Sequence, residues 1–106
     1  MAIIQIPVRS DLYQYEFSCE LDGTVYIFDI HYNSRKDRWI FGIKTSDGTE
    51  IVMGIPILVN YDLLGRFADS NLPPGTLFAI NTESEHENAG ELDLGDKVLL
   101  LYEEAT

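Results

Sequence analysis

The stretch from residue 13 to residue 45 constrains the fold most, because it holds three runs of alternating apolar and polar residues joined by two turns. From residue 13 to 21 every odd position is apolar and every even position is polar, which is typical of a strand with one buried face. Asp22-Gly23 supplies the positive φ of a tight hairpin, and the alternation resumes over residues 24–32 and 38–44. Three antiparallel strands sharing one packed face are enough to form a stable sheet.

Four further runs predict strands at residues 2–8, 50–59, 76–81 and 97–102. The run 50–59 is so apolar that we expect both of its faces to be covered, with a bulge or bend at Gly54 and Pro56. Asn60 is predicted to cap one short helical turn near 61–67, whose Leu63, Leu64 and Phe67 would close one end of the fold. We therefore predict a single all-β domain over residues 1–106, a small antiparallel β-barrel or sandwich of about seven strands.

Eighteen Asp and Glu residues against seven Lys and Arg give the chain a net charge of −11. A field of this sign repels phosphate groups, so we expect neither non-specific nucleic-acid binding nor attachment to an anionic membrane. Cys19 is the only cysteine, which excludes a disulfide framework and a multi-thiolate metal site within one chain. No signal-like amino terminus and no apolar run of about 18 residues is present, so we expect soluble, cytosolic synthesis.

The sequence offers weak candidates for chemistry. Asp29 and His31 fall on one face of a predicted strand, where Glu16 or Glu20 of the neighbouring strand could complete an acid/base set, but a lone histidine beside carboxylates on the polar side of a sheet is far more often a solvated or hydrogen-bonded surface residue. The acidic run 83–96 lacks the ligand spacing of a calcium loop and is predicted to be an exposed loop. Cys19 lies on the apolar face, where a thiol behaves as a small hydrophobe. We predict no catalytic residue, no metal site and no cofactor.

Large apolar residues are more numerous than one small core needs. Val25, Ile27 and Ile40 fall on the polar side of their strands, whereas aromatic residues such as Phe28 and Trp39 fill the other side. Two outcomes are open: the sheet closes on itself and other strands cover these residues, or an apolar patch remains for another subunit.

The order of turns and core positions resembles that of a known family. The motifs run along nearly the whole chain: Leu21-Asp22-Gly23-Thr24-Val25-Tyr26, Trp39, Asp47-Gly48, Gly54-Ile55-Pro56, Tyr61-Asp62-Leu63-Leu64, Pro74-Gly75, Leu94-Gly95 and Leu101-Tyr102. Together they are similar to the baseplate plug proteins of contractile-tailed bacteriophages, cyanophages included. The resemblance implies a non-enzymatic structural subunit of the virion tail baseplate, assembled in several copies with hub, spike and wedge proteins and made in the host cytoplasm.

Interface candidates follow from the residues themselves. Arg35, Lys36 and Arg38 form the one basic patch at a predicted hairpin tip, and Tyr61 and Leu64 lie on the predicted helical turn. Two other functions compete with a structural role. One is an acidic soluble binding protein that mimics nucleic acid or inhibits a host enzyme, and the other is a small enzyme that uses Asp29 and His31.

Overall fold

A computed structural model describes residues 3–65, 67, 71–83, 94–95 and 97–105. Over these residues the chain is all-β, and none of them lies in a helix. No described helix could therefore cross a membrane. The seven strands are β1 (Ile3–Gln5), β2 (Gln14–Leu21), β3 (Thr24–Asn33), β4 (Arg38–Thr45), β5 (Glu50–Pro56), β6 (Thr76–Asn81) and β7 (Val98–Glu103).

The larger sheet has the order β2-β3-β4-β5, and every neighbouring pair is antiparallel. Asp22 and Gly23, with φ of 51° and 81°, form the two-residue turn between β2 and β3, as predicted from the Asp-Gly pair. The β3–β4 turn is stabilised by Asn33, whose side-chain oxygen accepts from the backbone N–H groups of Arg35 and Lys36. These three strands confirm the alternation seen in the sequence.

Strand β5 corrects one prediction. We expected a strand over residues 50–59 with both faces covered, but β5 ends at Pro56 and is an edge strand in which Met53 and Gly54 are exposed. The predicted bulge is present: the register to β4 slips between Phe41 and Ile43, and Gly54 has a φ of 72°. The N–H of Ile57 still bonds to the carbonyl of Trp39 on β4 at 2.8 Å, and the chain then crosses to the other sheet, which it reaches at Val59.

The smaller sheet has the order β1-β7-β6, also antiparallel. The connection from β5 runs along the outer edge of β6, where Val59 bridges Ala79 in parallel and the N–H of Leu63 donates to the carbonyl of Leu77 at 2.8 Å. The predicted helical turn near 61–67 is wrong for the described residues, which form bends and turns. The N–H of Leu63 bonds to β6, whereas those of Gly65 and Phe67 close isolated turns on the carbonyls of Asp62 and Leu64 and do not continue as a helix.

One hydrophobic core lies between the two sheets. It takes fully buried side chains from the larger sheet, such as Phe28 and Trp39, and from the smaller one, such as Leu100 and Tyr102. Leu63 and Leu64 belong to this core, as predicted. No ladder of the described strands joins the two sheets, so of the two predicted architectures the sandwich is the one observed.

A hydrogen-bonded cluster fastens the sheets together at one end. The hydroxyl group of Tyr102, on β7, donates to the Asp22 carboxylate at 2.5 Å and accepts from the N–H of Gly75 at 2.6 Å. The same carboxylate oxygen accepts from the N–H of Ala105 at 3.1 Å. Asp22 belongs to the β2–β3 turn, so this cluster ties the first hairpin of the larger sheet to the end of the smaller sheet.

Candidate interaction surfaces

The acid/base candidates lie on the outer face of the larger sheet. Asp29 stands opposite Glu16 of β2, and His31 stands opposite Gln14. Glu16 forms an ion pair with Lys44 at 2.6 Å, and the hydrogen bond of that pair raises the pKa of Lys44. No hydrogen bond within the described part of the chain joins Asp29 to His31. The carboxylate nearest to Asp29 is therefore committed to a lysine, which leaves no assembled acid/base set among these residues.

Metal and thiol chemistry find little support in the described residues. No group of three or more His, Cys, Asp or Glu side chains among them could hold a metal ion. The predicted acidic loop 83–96 lies mostly outside the described residues; of its acids, Glu83 is described and lies 3.5 Å from Lys97. Cys19 is half-buried on the inner face of β2, and burial raises the pKa of its thiol.

Two shallow grooves flank the connection between the sheets. One, of about 450 Å³, lies between this connection and residues 72–76, and the other, of about 400 Å³, is lined by Ile55, Pro56, Leu58, Tyr61, Asp62 and Leu63. Asp62 carries the one carboxylate among the described residues that line them, and Tyr61 is the other ionisable side chain. A single carboxylate in an open groove cannot form a catalytic set, and the apolar lining of the second groove suits a protein contact.

The cations of the β3–β4 tip differ from the others. Among the described residues, Arg9 pairs with Asp11 at 2.5 Å, Lys44 pairs with Glu16, and Lys97 pairs with Glu83. The described cations that have no carboxylate partner are Arg35, Lys36 and Arg38. The acid within the tip, Asp37, accepts a hydrogen bond from the Tyr32 hydroxyl. Three cations without an ion-pair partner thus lie within residues 35–38 of a chain of net charge −11.

Two exposed apolar side chains lie close to the end of β3, the strand that leads into this tip. Leu12 and Tyr13 are 46% and 56% exposed, just before β2 begins. Tyr13 is held next to β3, because its carbonyl accepts a hydrogen bond from the N–H of Tyr32 at 2.8 Å and the two rings lie 5.8 Å apart. We call Leu12, Tyr13 and residues 34–38 the tip surface. An exposed aromatic side chain beside unpaired cations is the composition expected of a protein-binding patch.

A comparison with protein families identifies the chain. The family model described as "Cyanophage baseplate Pam3 plug gp18" matches residues 3–105. The chain belongs to this family. No curated protein matches it. The match confirms the resemblance read from the order of the turn and core residues, and it covers both sheets of the sandwich.

In this baseplate plug family member the five interface candidates are not brought together. Arg35 and Lys36 are exposed and Arg38 is partly exposed at the tip, whereas Tyr61, 63% exposed, stands beside the apolar groove. Leu64 is only 5% exposed and packs in the core. The sequence analysis did not select Leu12 and Tyr13, since the alternation assigned Tyr13 to the inward row. Their place beside the tip follows from the pairing with Tyr32, which the sequence pattern does not show.

The outer face of the larger sheet shows which of the two predicted outcomes holds for the surplus apolar residues: coverage by a closed sheet, or exposure as a patch. The sheet does not close, and Val25 and Met53 remain 42% and 40% exposed. Ile40 is 9% exposed, and the Met53 side chain lies over Gly42, where an added Cβ would come within 2.3 Å of the Met53 sulfur. The apolar excess is therefore partly covered within the chain and partly left at the surface of this baseplate plug family member.

Proposed function

We propose that this protein is a structural component of a phage tail baseplate that works through contacts with hub, spike and wedge subunits and catalyses no reaction. The family match over residues 3–105 carries the proposal, because the family is described as a baseplate plug. We further propose that the chain folds as one domain, is made in the host cytoplasm and enters the virion in several copies, as a symmetric assembly requires.

The surface of the molecule supports a role in contacts. The tip surface contains three cations that have no ion-pair partner. It also contains the exposed side chains of Leu12 and Tyr13. Desolvated Arg and Tyr side chains are common anchors of interfaces, and a basic tip on an acidic protein sets the orientation of docking. We propose that Arg35, Lys36 and Arg38 face an acidic neighbour in the baseplate.

A second contact is proposed at Tyr61. Its ring is 63% exposed and borders the groove lined by Ile55, Pro56 and Leu58. A side chain from a neighbouring subunit could fill that groove and pack on the ring. Leu64, which is 5% exposed, would support this segment from within the core.

Mass spectrometry of purified virions tests the proposed function. We expect peptides of this chain in intact particles, in a fixed ratio to the other tail proteins, and density for its two-sheet sandwich in a reconstruction of the baseplate. Absence of the chain from purified particles would refute the proposal. A gel-shift competition in which the purified chain displaced DNA from host enzymes would instead favour a nucleic-acid mimic.

A further inference from the structure

The free edges of the two sheets are not protected equally. Strand β5 carries two register slips and ends in Pro56, and β1 is three residues long and followed by Ile6-Pro7. The outer edge of β6 is covered by the segment that contains Val59 and Leu63. Bulges, prolines, short length and covering segments are the devices that keep edges from pairing with other chains.

Strand β2 has none of these four devices, and its protection is the charge of Glu16 and Glu20. It is eight residues long, contains no Pro or Gly, and pairs with β3 in regular register from Gln14 to Leu21. It lies at the end of its sheet, and within the described part of the chain no strand pairs with its other side. A long, straight edge strand of this kind is a template for one more strand.

The hairpin register shows which backbone groups face outward. Leu21 and Thr24 close a two-residue loop, and the N–H of Tyr32 donates to the carbonyl of Tyr13. The odd residues of β2 therefore direct their N–H and C=O groups toward β3. The even residues Gln14, Glu16, Ser18 and Glu20 direct theirs away from the sheet, toward the open side.

The inner face of β2 also ends before its apolar row is covered. Tyr15, Phe17 and Cys19 are half-buried, whereas their cross-strand partners on β3 are buried. Phe17 stacks on Phe28 with ring centroids 5.5 Å apart and on Tyr15 at 6.0 Å, and it is only half-buried on this edge strand. The Tyr15 hydroxyl group is already held by the N–H and carbonyl of Arg9, so a further strand with apolar side chains would chiefly cover Phe17 and Cys19.

The negative charge along the edge of β2 favours a partner strand that carries positive charge. Glu16 and Glu20 are exposed on the outer face of β2; Glu16 already pairs with Lys44 through one oxygen, and the chain as a whole carries −11. A second copy of this chain would bring the same excess of negative charge to the seam. A strand with Lys or Arg at alternate positions would place opposite charges beside these glutamates, and such cross-strand pairs are stabilising.

We propose that the edge of β2 accepts an extended segment of another virion protein, in which apolar residues alternate with Lys or Arg, and that this segment adds a fifth strand to the larger sheet. Main-chain hydrogen bonds to residues 14, 16, 18 and 20 would supply affinity, and the two side-chain rows would supply specificity. The partner's place in the virion rests on the proposed function, whereas the pairing chemistry rests on the geometry of β2.

Amide hydrogen exchange of the isotope-labelled chain tests this pairing. The probe is a capped peptide in which valine alternates with lysine, and the matched control peptide alternates valine with glutamate. In the free chain the amides of Glu16, Ser18 and Glu20 should exchange fast and those of Tyr15, Phe17 and Cys19 slowly. The valine–lysine peptide should slow exchange of the even amides by about tenfold or more, and the glutamate peptide should not.

Two variants separate edge pairing from other modes of binding. Ser18→Pro removes one outward N–H that β3 does not use, so the fold should survive while the affinity for the peptide falls by about tenfold or more. Ser18→Thr keeps the N–H and should bind like the parent chain. The inference is overturned if the even amides stay fast at millimolar peptide, if the glutamate peptide binds equally well, or if Ser18→Pro binds like Ser18→Thr.

Protection of the even amides without peptide that grows with protein concentration would show that a second copy occupies the edge, which also overturns the inference. These readouts use the purified chain alone, so they are independent of whether it is found in virions. Absence from virions would refute the proposed function and leave the pairing result intact. Failure of the pairing would leave the structural role intact.

Discussion

At the scale of single residues, Tyr102 carries the most structural consequence. Its side chain is fully buried, and its hydroxyl group bonds to both the Asp22 carboxylate and the backbone of Gly75. These groups belong to three separate parts of the chain: the β2–β3 turn, the residue before β6, and β7 itself. One phenol therefore satisfies polar groups that would otherwise be left without partners where the sheets meet.

We expect Tyr102→Phe to lower the free energy of unfolding by about 1–3 kcal/mol, because it keeps the ring but leaves the Gly75 N–H and the Asp22 carboxylate short of a hydrogen bond. Urea titration monitored by circular dichroism measures the change. Tyr61→Phe is the matched control, since Tyr61 is 63% exposed and its loss of a hydroxyl should change stability by less than about 0.5 kcal/mol. Equal effects of the two substitutions would contradict the role assigned to the Tyr102 hydroxyl.

Tyr102 should also make the stability of the fold depend on pH in the alkaline range. Burial, followed by the bond to Asp22, raises the pKa of Tyr102 above the value of about 10 for a free tyrosine. Above pH 10 the unfolded chain loses this proton while the folded chain keeps it, so stability is full below pH 10 and falls as pH rises further. Urea midpoints between pH 8 and pH 11 should fall more steeply for the parent than for Tyr102→Phe. If the urea midpoints of the parent and of Tyr102→Phe fell equally with pH, the loss of stability would not come from ionisation of Tyr102.

Gly75 is required because a side chain at this position would clash with its neighbours, and not because of the conformation of a turn. A Cβ added at this position would come within 2.1 Å of the Glu103 carbonyl oxygen and 2.6 Å of the Tyr102 ring and hydroxyl. We expect Gly75→Ala to destabilise the fold by about 1–3 kcal/mol, because backbone and a buried ring cannot move aside. In Gly42→Ala the new Cβ would meet chiefly the mobile end of the Met53 side chain. Thermal melts should show a clearly smaller loss for Gly42→Ala, and the reverse order would contradict this account.

At the scale of elements, predictions from local pattern succeeded where the elements are hairpins. Strands β2, β3 and β4 follow from alternation and from Asp22-Gly23, since each strand pairs with its neighbour in sequence. The run 50–59 was harder: its apolar residues are divided between an edge strand and a connection that crosses to the other sheet. The spacing of Leu63 and Leu64 fitted a helical turn, but the N–H of Leu63 bonds to β6, a pairing that is distant in sequence.

The tip surface could be predicted only in part, because some of its residues are brought together by local structure and others by a pairing that is distant in sequence. The tip that carries Arg35 and Lys36 is local, and the structure places both residues at an exposed hairpin turn. Leu12 and Tyr13 join the tip through the pairing of Tyr13 with Tyr32, which local pattern does not reveal. Pro74-Gly75 indicated a turn, but the close approach of Tyr102 became visible only in three dimensions.

If the tip surface binds an acidic neighbour, then reversing its charge should weaken assembly. We expect Arg35→Glu or Lys36→Glu to lower incorporation of the chain into virions by about tenfold or more, because a like charge then faces the partner. Lys97→Glu is the control: it changes the net charge by the same two units, directly before β7 of the other sheet, and the exposed ion pair with Glu83 that it removes contributes little. Quantitative mass spectrometry of particles from complemented infections measures incorporation. Equal losses for tip and control variants would remove the tip from the interface.

At the scale of the whole molecule, the two sheets should unfold as one unit because they share one core and the cluster at Tyr102. Trp39 is the only tryptophan and lies fully buried in the larger sheet, so its fluorescence reports on that sheet. Leu100 lies fully buried in β7 of the smaller sheet. A substitution in one sheet can therefore be monitored from the other.

We expect Leu100→Ala to lower the free energy of unfolding by about 2–5 kcal/mol, as the transfer and cavity costs of a buried leucine predict. The loss should appear equally in Trp39 fluorescence and in amide exchange of β6 and β7, since a two-state fold has one transition. Leu12→Ala, at a side chain that is 46% exposed, should leave the urea midpoint nearly unchanged. If Leu100→Ala released β7 while the Trp39 transition stayed in place, the sheets would be separate units, and the proposal of one domain would fail.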